Sequence, residues 1–334
     1  MRKKLSVGID VSKYTLDVAI TFDGVEIIQT REVANEKNGY HRILNMINSS
    51  SSHDRVHICM EATGVHSIKV REYFQAMGYL VSEVNPSVIR SFRHTSMVRT
   101  KTDPIDAKLI AIYCYKMTPR SSQIVPTEKK ELKKHTARLN YLIERLAMSK
   151  TYISSFTDID IRKSEKRIMD RLEKEIFETN EKLKDLILAT PNLKRDHELL
   201  TSIPGVGKKT AAIVMSELIN EDTSHKQRYT KKCQSAHAGL APAQHQSGVS
   251  VNGRPYICKS GNSMLRKSLY FPTMSAIRHN PIIKAFYQKL VSKGKRKIVA
   301  LVACMRKLLM IMIGVLNTGI PFEQDWVSKP YYSK

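Results

Sequence analysis

The chain has 334 residues, of which 42% are hydrophobic, and this is enough to build the cores of two or three domains. Its 55 Lys and Arg residues outnumber 31 Asp and Glu residues, and the net charge of +24 predicts a polyanionic partner, either nucleic acid or an anionic membrane surface. A membrane span is disfavoured because Arg306 and Lys307 interrupt the most apolar stretch, while five scattered cysteines without a Cys-x-x-Cys pair argue against a zinc ribbon and fit a reducing, cytoplasmic setting.

The first 125 residues are predicted to form a mixed α/β domain. Apolar and polar residues alternate over 5–11 and 16–20, and a third strand-like segment, 25–30, follows the hairpin pair Asp23-Gly24. These segments predict a three-stranded antiparallel meander. Further along, the periodicity predicts helices over 35–48, 65–77 and 103–117 and strands over 55–60 and 79–84.

Four acidic residues fall where such a sheet would bring them together. Asp10 lies near the end of the first strand and Glu61 ends the fourth, and side chains at the ends of neighbouring parallel strands share a crevice. Asp103 and Asp106 are three residues apart at a helix start, which puts both carboxylates on one helix face. Converging carboxylates can bind Mg²⁺ or Mn²⁺, and a metal ion beside phosphate indicates phosphodiester chemistry. The arrangement resembles the RuvC-like branch of the RNase H-like nucleases.

Each of these acidic residues also has a purely structural alternative. Asp103 before Pro104 is a good helix N-cap, and the helix dipole favours a negative charge at Asp106. Asp10 could belong to a strand-end turn, and Glu61 could be a solvated loop residue. None of these alternatives requires catalysis.

Residues 126–190 are predicted to form a helical arm. Apolar residues recur at three- and four-residue steps from Leu132 to Ile187, and the positions between them are mostly Lys, Arg and Glu. The pattern predicts two long helices with a break near 154–160. They form either an antiparallel pair within one chain or a coiled coil between two chains, and we expect a spacer and dimerisation arm.

Residues 191–334 are predicted to form a third domain that contacts DNA. Segment 200–211 matches a helix-hairpin-helix, which binds the DNA backbone at a helix N-terminus, although an ordinary helix–turn–helix connection is the alternative. Ser247, which precedes Gly248 among small and polar residues, could attack a phosphodiester, while a turn serine is the simpler interpretation. The basic residues expected to bind nucleic acid are Lys101, Lys208, Lys209, Arg254, Lys259, Arg266, Lys267, Lys295, Arg296 and Lys297.

Two ordered blocks of motifs resemble a known family. The N-terminal block contains Val7-Gly-Ile-Asp-Val-Ser-Lys13, Glu61-Ala-Thr-Gly64 and Lys101-Thr-Asp-Pro-Ile-Asp-Ala-Lys108. The C-terminal block contains Ile203-Pro-Gly-Val-Gly207, Gly239-Leu-Ala-Pro242, Gln246-Ser-Gly248 and Gly261-Asn262 with Leu265-Arg266. With these motifs the chain resembles the insertion-sequence transposases of the IS-one-ten type, a family that includes the Piv/MooV DNA invertases.

The resemblance implies a RuvC-like DEDD domain whose metal-binding set is Asp10, Glu61, Asp103 and Asp106. In this family a noncoding guide RNA from the element's own ends pairs with donor and target DNA. The protein acts as an oligomer, which we expect to be a dimer or a tetramer.

The resemblance also implies a C-terminal transposase domain with an essential serine that joins covalently to a DNA end. By position this serine corresponds to Ser247, with Ser250 and Ser260 as alternatives. We therefore expect an RNA-guided DNA recombinase that uses a Mg²⁺ site and a serine nucleophile. One rival is a metal-dependent hydrolytic nuclease of the Holliday-junction type, and a second is a non-catalytic nucleic-acid-binding protein.

Overall fold

The computed structural model describes residues 5–50, 56–97, 102–219, 229–244, 246–247, 251–252 and 256–323, with the backbone alone at 246–247 and 251–252. Two compact units divide the chain, Met1–Ile124 and Val125–Lys334. Three residues singled out from the sequence, Lys101, Ser250 and Arg254, lie outside the described residues.

The first unit is built on a mixed five-stranded sheet, as the sequence predicts. The strand order is β3-β2-β1-β4-β5, in which β1, β2 and β3 pair antiparallel while β4 and β5 extend the sheet in parallel from β1. The strands are β1 Leu5–Val11, β2 Thr15–Thr21, β3 Gln29–Ala34, β4 Val56–Glu61 and β5 Leu80–Val84.

The third strand was predicted four residues too early. It begins at Gln29 because the preceding turn is wide: the Asp23 carboxylate accepts hydrogen bonds from the backbone N–H groups of Val25 and Glu26 at 2.8 and 2.9 Å. These bonds hold both backbone groups in the turn.

Four helices accompany the sheet: α1 Lys37–Ser50, α2 Val65–Ala76, α3 Pro86–Thr95 and α4 Asp103–Met117. The sequence predicts three of them within a few residues, but it did not predict α3. The start of α3 is well defined, because the Asn85 side chain accepts a hydrogen bond from Ser87 N–H at 2.9 Å and Pro86 stands in the first turn.

The two faces of the sheet carry different neighbours. On one face the odd-numbered residues of β1 belong to an apolar core that includes Ile43 of α1 and Phe74 of α2. On the other face, a Cβ atom at Gly8 would overlap backbone atoms of Ala107 and Ala111. Helix α4 therefore packs directly on β1, on the face that also holds the even-numbered residue Asp10.

The second unit begins with two long helices, α5 Thr127–Ser154 and α6 Ile159–Ala189, which pack on each other across a four-residue connection. This is the antiparallel pair within one chain that the sequence left as one of two alternatives. At its base, Leu132 and Ile187 belong to the same apolar core as the helices that follow.

The remaining helices of this unit are α7 Pro191–Thr201, α8 Lys208–Glu217, α9 Lys231–His237, α10 Ser263–Ser268, α11 Tyr270–His279, α12 Pro281–Ser292 and α13 Lys297–Thr318. Four two-residue strands lie between α9 and α10: β6 Pro242–Ala243, β7 Gln246–Ser247, β8 Val251–Asn252 and β9 Tyr256–Ile257. Helix α13 is long and apolar enough to cross a membrane, but 61% of its apolar window is buried among the other helices, so it is a core helix of this unit.

Candidate active site

Two of the predicted acidic residues lie side by side at the end of the central strands. Ile9 of β1 pairs with Met60 of β4 in parallel register, so the next residues, Asp10 and Glu61, lie side by side at the same end of the sheet. Because Cys59 packs against Leu109 of α4, the odd-numbered residues of β4 share the face that α4 covers. Asp10 and Glu61 are both half-buried there.

The other two acidic residues lie in the first turn of α4. The N-cap of this helix is Thr102, so Asp103 is its first residue and does not act as the cap. Asp103 is exposed, whereas Asp106 is 6% exposed and faces the sheet in the same stripe as Ala107 and Ile110. Both carboxylates benefit from the helix dipole.

The charges of the neighbouring acidic residues act on Asp10. Burial, together with the negative charges of Asp106, Asp103, Glu61 and Asp17 in that order, raises the pKa of Asp10 to about 6. A carboxyl group perturbed by burial and by several neighbouring carboxylates is the pattern of a functional site. The ionised form of Asp10 is therefore unfavourable unless a cation neutralises the cluster.

A fifth acidic residue, Asp17, was missed from the sequence. It pairs directly with Asp10 across β1 and β2, lies on the same face, and is 7% exposed. Burial, followed by the charges of Glu32 and Asp103, raises the pKa of Asp17. The alternation of Leu16, Val18 and Ile20 was the available signal, because it places Asp17 on the face opposite the apolar core.

A cation also lies at this cluster, and the sequence did not reveal it. Arg93, in the last turn of α3, forms an ion pair with Asp106. The Arg93 side chain is 15% exposed and that of Asp106 is 8% exposed, so the pair is largely removed from water. Helix α3 is positioned by Ile89 and Phe92, which pack with α4.

The donor set suits a hard divalent cation, since all four side chains offer carboxylate oxygens. Their present spacing is open: within the residues that the structure describes, no three acidic, histidine or cysteine side chains are arranged closely enough to hold a metal ion. At least one carboxylate therefore has to move before Asp10, Glu61, Asp103 and Asp106 can share an ion.

In the second unit, α7 and α8 are joined by a tight turn at the predicted helix-hairpin-helix segment. Gly205 has a φ of +99°, and a Cβ there would overlap the backbone of Ala276 in α11, so this turn requires glycine. Gly207 is the N-cap of α8 and offers no side chain, while Lys208 and Lys209 are exposed in its first turn. The backbone N–H groups at a helix N-terminus can donate hydrogen bonds to a phosphate, and neighbouring lysines attract its negative charge.

The glycine-rich segment after α9 is held by backbone contacts. Gly261 lies so close to the carbonyl oxygen of His237 that a Cβ would overlap it. The Arg266 guanidinium donates to the carbonyl oxygens of Ala238 at 3.0 Å and Lys259 at 3.2 Å. Arg266, predicted to bind nucleic acid, thus also holds two loop segments together.

A buried polar group anchors the same segment. The Asn262 side chain donates to the Glu217 carboxylate, which is 5% exposed and pairs with Lys133 at 3.2 Å. Asn262 also accepts from Leu265 N–H at 3.0 Å and so caps α10. No local sequence pattern indicates this network, because its members come from α5, α8 and the start of α10.

Ser247 lies on the short strand β7, where it pairs with Val251 of β8 in an antiparallel hairpin. The alternative Ser260 is exposed, and its hydroxyl donates to the Cys258 carbonyl at 3.5 Å. The other described cations are exposed: Lys259, Lys267, which lies 3.4 Å from Glu144, and Lys295, Arg296 and Lys297 at the joint between α12 and α13.

Comparison with known proteins decides the family. A transposase model of the DEDD type matches residues 7–158, and a model of the IS116/IS110/IS902 transposase family matches residues 197–288. The pilin gene-inverting protein of Moraxella bovis is 31% identical over 332 residues, which cover 96% of this chain and 98% of that protein. The chain belongs to the IS110 family of transposases and DNA invertases.

Two further relatives agree with this family. The pilin gene-inverting protein of Moraxella lacunata matches with the same identity and coverage. A 43.6 kDa protein of insertion element IS110 from Streptomyces coelicolor is 28% identical over 125 residues, 37% of this chain and 30% of that protein. As an IS110-family transposase, the chain acts on DNA by strand cleavage and rejoining.

The two matched ranges divide the candidate residues between them. The DEDD range contains all four acidic residues, together with Asp17 and Arg93. The second range contains Ser247, Lys208, Lys209 and Arg266, but it ends before the basic joint at 295–297. DEDD transposases are typically metal-dependent, in keeping with the carboxylate donor set.

Proposed function

We propose that this transposase recombines DNA with a Mg²⁺ site formed by Asp10, Glu61, Asp103 and Asp106 and with Ser247 as the nucleophile. The observation that carries the proposal is the convergence of four carboxylates at one end of the sheet, where burial and the charges of its neighbours raise the pKa of Asp10 to about 6. Such a cluster is unfavourable by itself and becomes favourable when a divalent cation is bound. We propose a RuvC-like fold for this unit on the same basis.

When bound, Mg²⁺ supplies a Lewis acid that polarises the scissile phosphate, and Mn²⁺ can substitute for it. The four carboxylates would hold the ion at this end of the sheet. Asp106 is the most buried of them and is fixed by its position in α4, whereas Asp103 is exposed. Asp103 therefore has the greater freedom to adjust to an ion and to DNA.

Ser247 then serves as the nucleophile for strand cleavage. Its Oγ forms a bond to phosphorus, and the serine proton passes to a base or to solvent. The bond from phosphorus to one DNA end breaks, and the leaving oxygen takes up a proton to become a hydroxyl. The protein–DNA ester conserves the phosphodiester energy, so a hydroxyl end can reverse the step and rejoin the strands. This accounts for rejoining without a nucleotide cofactor.

The basic residues of the second unit would contact the phosphate backbone. Lys208 and Lys209 stand at the open N-terminus of α8, in the segment that we propose is a helix-hairpin-helix. Lys295, Arg296 and Lys297 form an exposed joint. The net charge of +24 favours polyanionic partners, and we propose that these include a noncoding guide RNA as well as DNA.

We propose that the transposase works as an oligomer formed through its helical arm. Three large apolar side chains near the far end of the arm are at least half exposed: Met148, Tyr152 and Ile159. Exposed apolar residues grouped on one element indicate a protein contact. The pilin gene-inverting relatives are named for inverting a gene, and inversion joins two DNA sites at once, which an oligomer can hold.

The deciding experiment is a denaturing-gel assay for a covalent protein–DNA adduct, with the protein co-expressed with the DNA that flanks its gene. We expect an adduct in the wild type and none in Ser247→Ala or Asp103→Ala. Ser260→Ala is the matched control, since Ser260 lies nearby and is exposed, and it should retain the adduct. Loss of the adduct in Ser260→Ala with retention in Ser247→Ala would reassign the nucleophile.

A second candidate function is metal-dependent hydrolysis of branched DNA. It is favoured by one observation: all four acidic residues lie within the first unit, so this unit holds a complete carboxylate set without Ser247. In that case, cleavage without an adduct would survive Ser247→Ala. Cleavage that is lost in Ser247→Ala excludes this candidate.

A further inference from the structure

The ion pair between Arg93 and Asp106 places a cation where the proposed site needs a free carboxylate. Asp106 is 6% exposed, so little water is present to share its charge. Arg93 contacts one carboxylate oxygen of Asp106, and a divalent cation bound at that carboxylate would be repelled by the positive charge of the guanidinium. The inference below rests on the proposed function, because it assumes that Asp106 is a metal ligand.

We propose that Arg93 is an internal counter-cation: it holds Asp106 in the metal-free protein and must leave it when a divalent cation binds. Its guanidinium partly neutralises a cluster in which Asp10, Asp103 and Glu61 repel one another. A divalent cation neutralises the same acidic cluster by binding the carboxylate oxygens directly. Arg93 and the metal ion therefore compete for one carboxylate.

The spacing of the acidic residues supports this competition. Within the described part of the chain, no three potential ligands are close enough to bind an ion together. The ion pair with Arg93 holds Asp106, the most buried of the four acidic residues, in this open arrangement. This arrangement is what we expect if Arg93 keeps Asp106 away from the other proposed metal ligands.

The way Arg93 is bound also permits its release. One terminal nitrogen contacts Asp106, while the Nε atom is buried without a hydrogen-bond partner within the described residues. A buried donor that lacks a partner costs free energy, and this cost is relieved when the guanidinium moves into water. Ile89 is the only fully buried residue among those described in α3, and Phe92 and Arg93 remain partly exposed.

The chain offers a closely matched control. Arg71 of α2 forms an ion pair with Glu83 of β5, and the two side chains are 15% and 16% exposed. Its Nε atom is likewise buried without a partner in the described structure. Glu83 pairs with Met60, so it lies on the opposite face of the sheet from Glu61 and Asp10.

The test measures Mn²⁺ binding to the full chain by isothermal titration calorimetry, after removal of divalent ions. We expect Arg93→Met to bind Mn²⁺ about tenfold or more tightly, because the competent state no longer competes with an arginine-bound state. Arg71→Met should bind within about twofold of the wild type. Both variants should melt at a lower temperature than the wild type without metal, and Mn²⁺ should restore more of the loss in Arg93→Met.

Arg93→Lys provides a milder variant that keeps a positive charge and most of the side-chain length. Its affinity should fall between those of the wild type and Arg93→Met, since lysine lacks the planar fork of arginine. If the wild type binds Mn²⁺ and neither Arg93 variant binds more tightly, the counter-cation role is wrong while the metal site stands. If folded wild type and folded Arg93→Met both fail to bind, the metal site and the counter-cation role are both wrong.

Discussion

The two faces of the five-stranded sheet use the same strands for opposite purposes. One face packs Ile43, Phe74 and the odd-numbered residues of β1 into a continuous apolar core. The other carries Asp10, Asp17 and Glu61 beside a helix that nearly touches the backbone of β1. The first face stabilises the fold, whereas the second holds unbalanced charge that destabilises the metal-free protein.

The difference shows how one strand can separate stability from chemistry. Because side chains alternate along β1, Ile9 contributes to the core while Asp10 contributes to the candidate site. Substitutions on the apolar face should therefore change stability without changing metal affinity. Substitution of a proposed metal ligand on the acidic face, such as Asp10, should change both, and in different directions.

The largest expected effect lies on the apolar face. Phe74 is fully buried and contacts the rings of Tyr40, Tyr73 and Tyr79. Phe74→Ala should reduce the free energy of unfolding by about 4 kcal/mol. Urea unfolding followed by circular dichroism measures the loss, and Phe74→Leu gives a milder variant in case the alanine protein does not fold. A folded variant at Phe74 that no longer binds Mn²⁺ would contradict the separation of the two faces.

The next effect concerns the close contact between β1 and α4. Gly8→Ala places a Cβ against backbone atoms of Ala107 and Ala111, so α4 has to shift outward, at a cost of about 3 kcal/mol. Since α4 carries Asp103 and Asp106, the shift should also weaken Mn²⁺ binding. Gly64→Ala is a control with open space around its Cβ, although its φ of +69° adds some strain. Equal Mn²⁺ affinities in Gly8→Ala and the wild type would show that α4 does not set the site.

Sequence reasoning located the acidic residues but not their neighbours. Asp10 and Glu61 could be found because strand ends are visible in the alternation of apolar residues, and Asp103 and Asp106 because of their helical spacing. Arg93 could not be found in this way, since its partner is 13 residues away and the pairing depends on how α3 packs against α4. Periodicity gives the face of an element but not the element that covers it.

The same limit applies to the second unit. The two long helices were visible as apolar residues at three- and four-residue steps, and the hairpin segment as a pair of glycines before lysines. The network of Asn262, Glu217 and Lys133 was not visible, because it joins residues that are up to 129 positions apart, and no local pattern marks a contact of that range. Only the tertiary structure shows that Asn262, at the start of α10, is anchored by the buried carboxylate of Glu217.

A smaller effect, of opposite sign, is expected at Asp10. The pKa of Asp10 is raised from 3.8 to about 6 in the folded protein, so its ionisation destabilises the fold as the pH rises through this range. Without metal, Asp10→Asn should be more stable than the wild type by about 1 kcal/mol above pH 6, after allowance for solvent screening of a partly buried group. The gain should shrink as the pH falls below 6 and disappear below about pH 3, where the carboxyl is protonated in both the folded and the unfolded state. Thermal unfolding in EDTA across this pH range measures it. A gain that grows as the pH falls would contradict the electrostatic origin.

The smallest effect is expected at Asp17, and a variant there distinguishes the effect of a nearby charge from that of a metal ligand. Asp17 lies opposite Asp10, and its pKa is raised by burial and by the charges of Glu32 and Asp103. Asp17→Asn should therefore stabilise the metal-free protein at neutral pH by a few tenths of a kcal/mol, roughly half or less of the gain from Asp10→Asn. The two variants should differ in Mn²⁺ binding, because Asp10 belongs to the proposed ligand set and Asp17 does not. Calorimetry should show affinity lost in Asp10→Asn and kept in Asp17→Asn. Loss in both would extend the ligand set to a fifth carboxylate, and the acidic face would then hold its ion across β1 and β2 together.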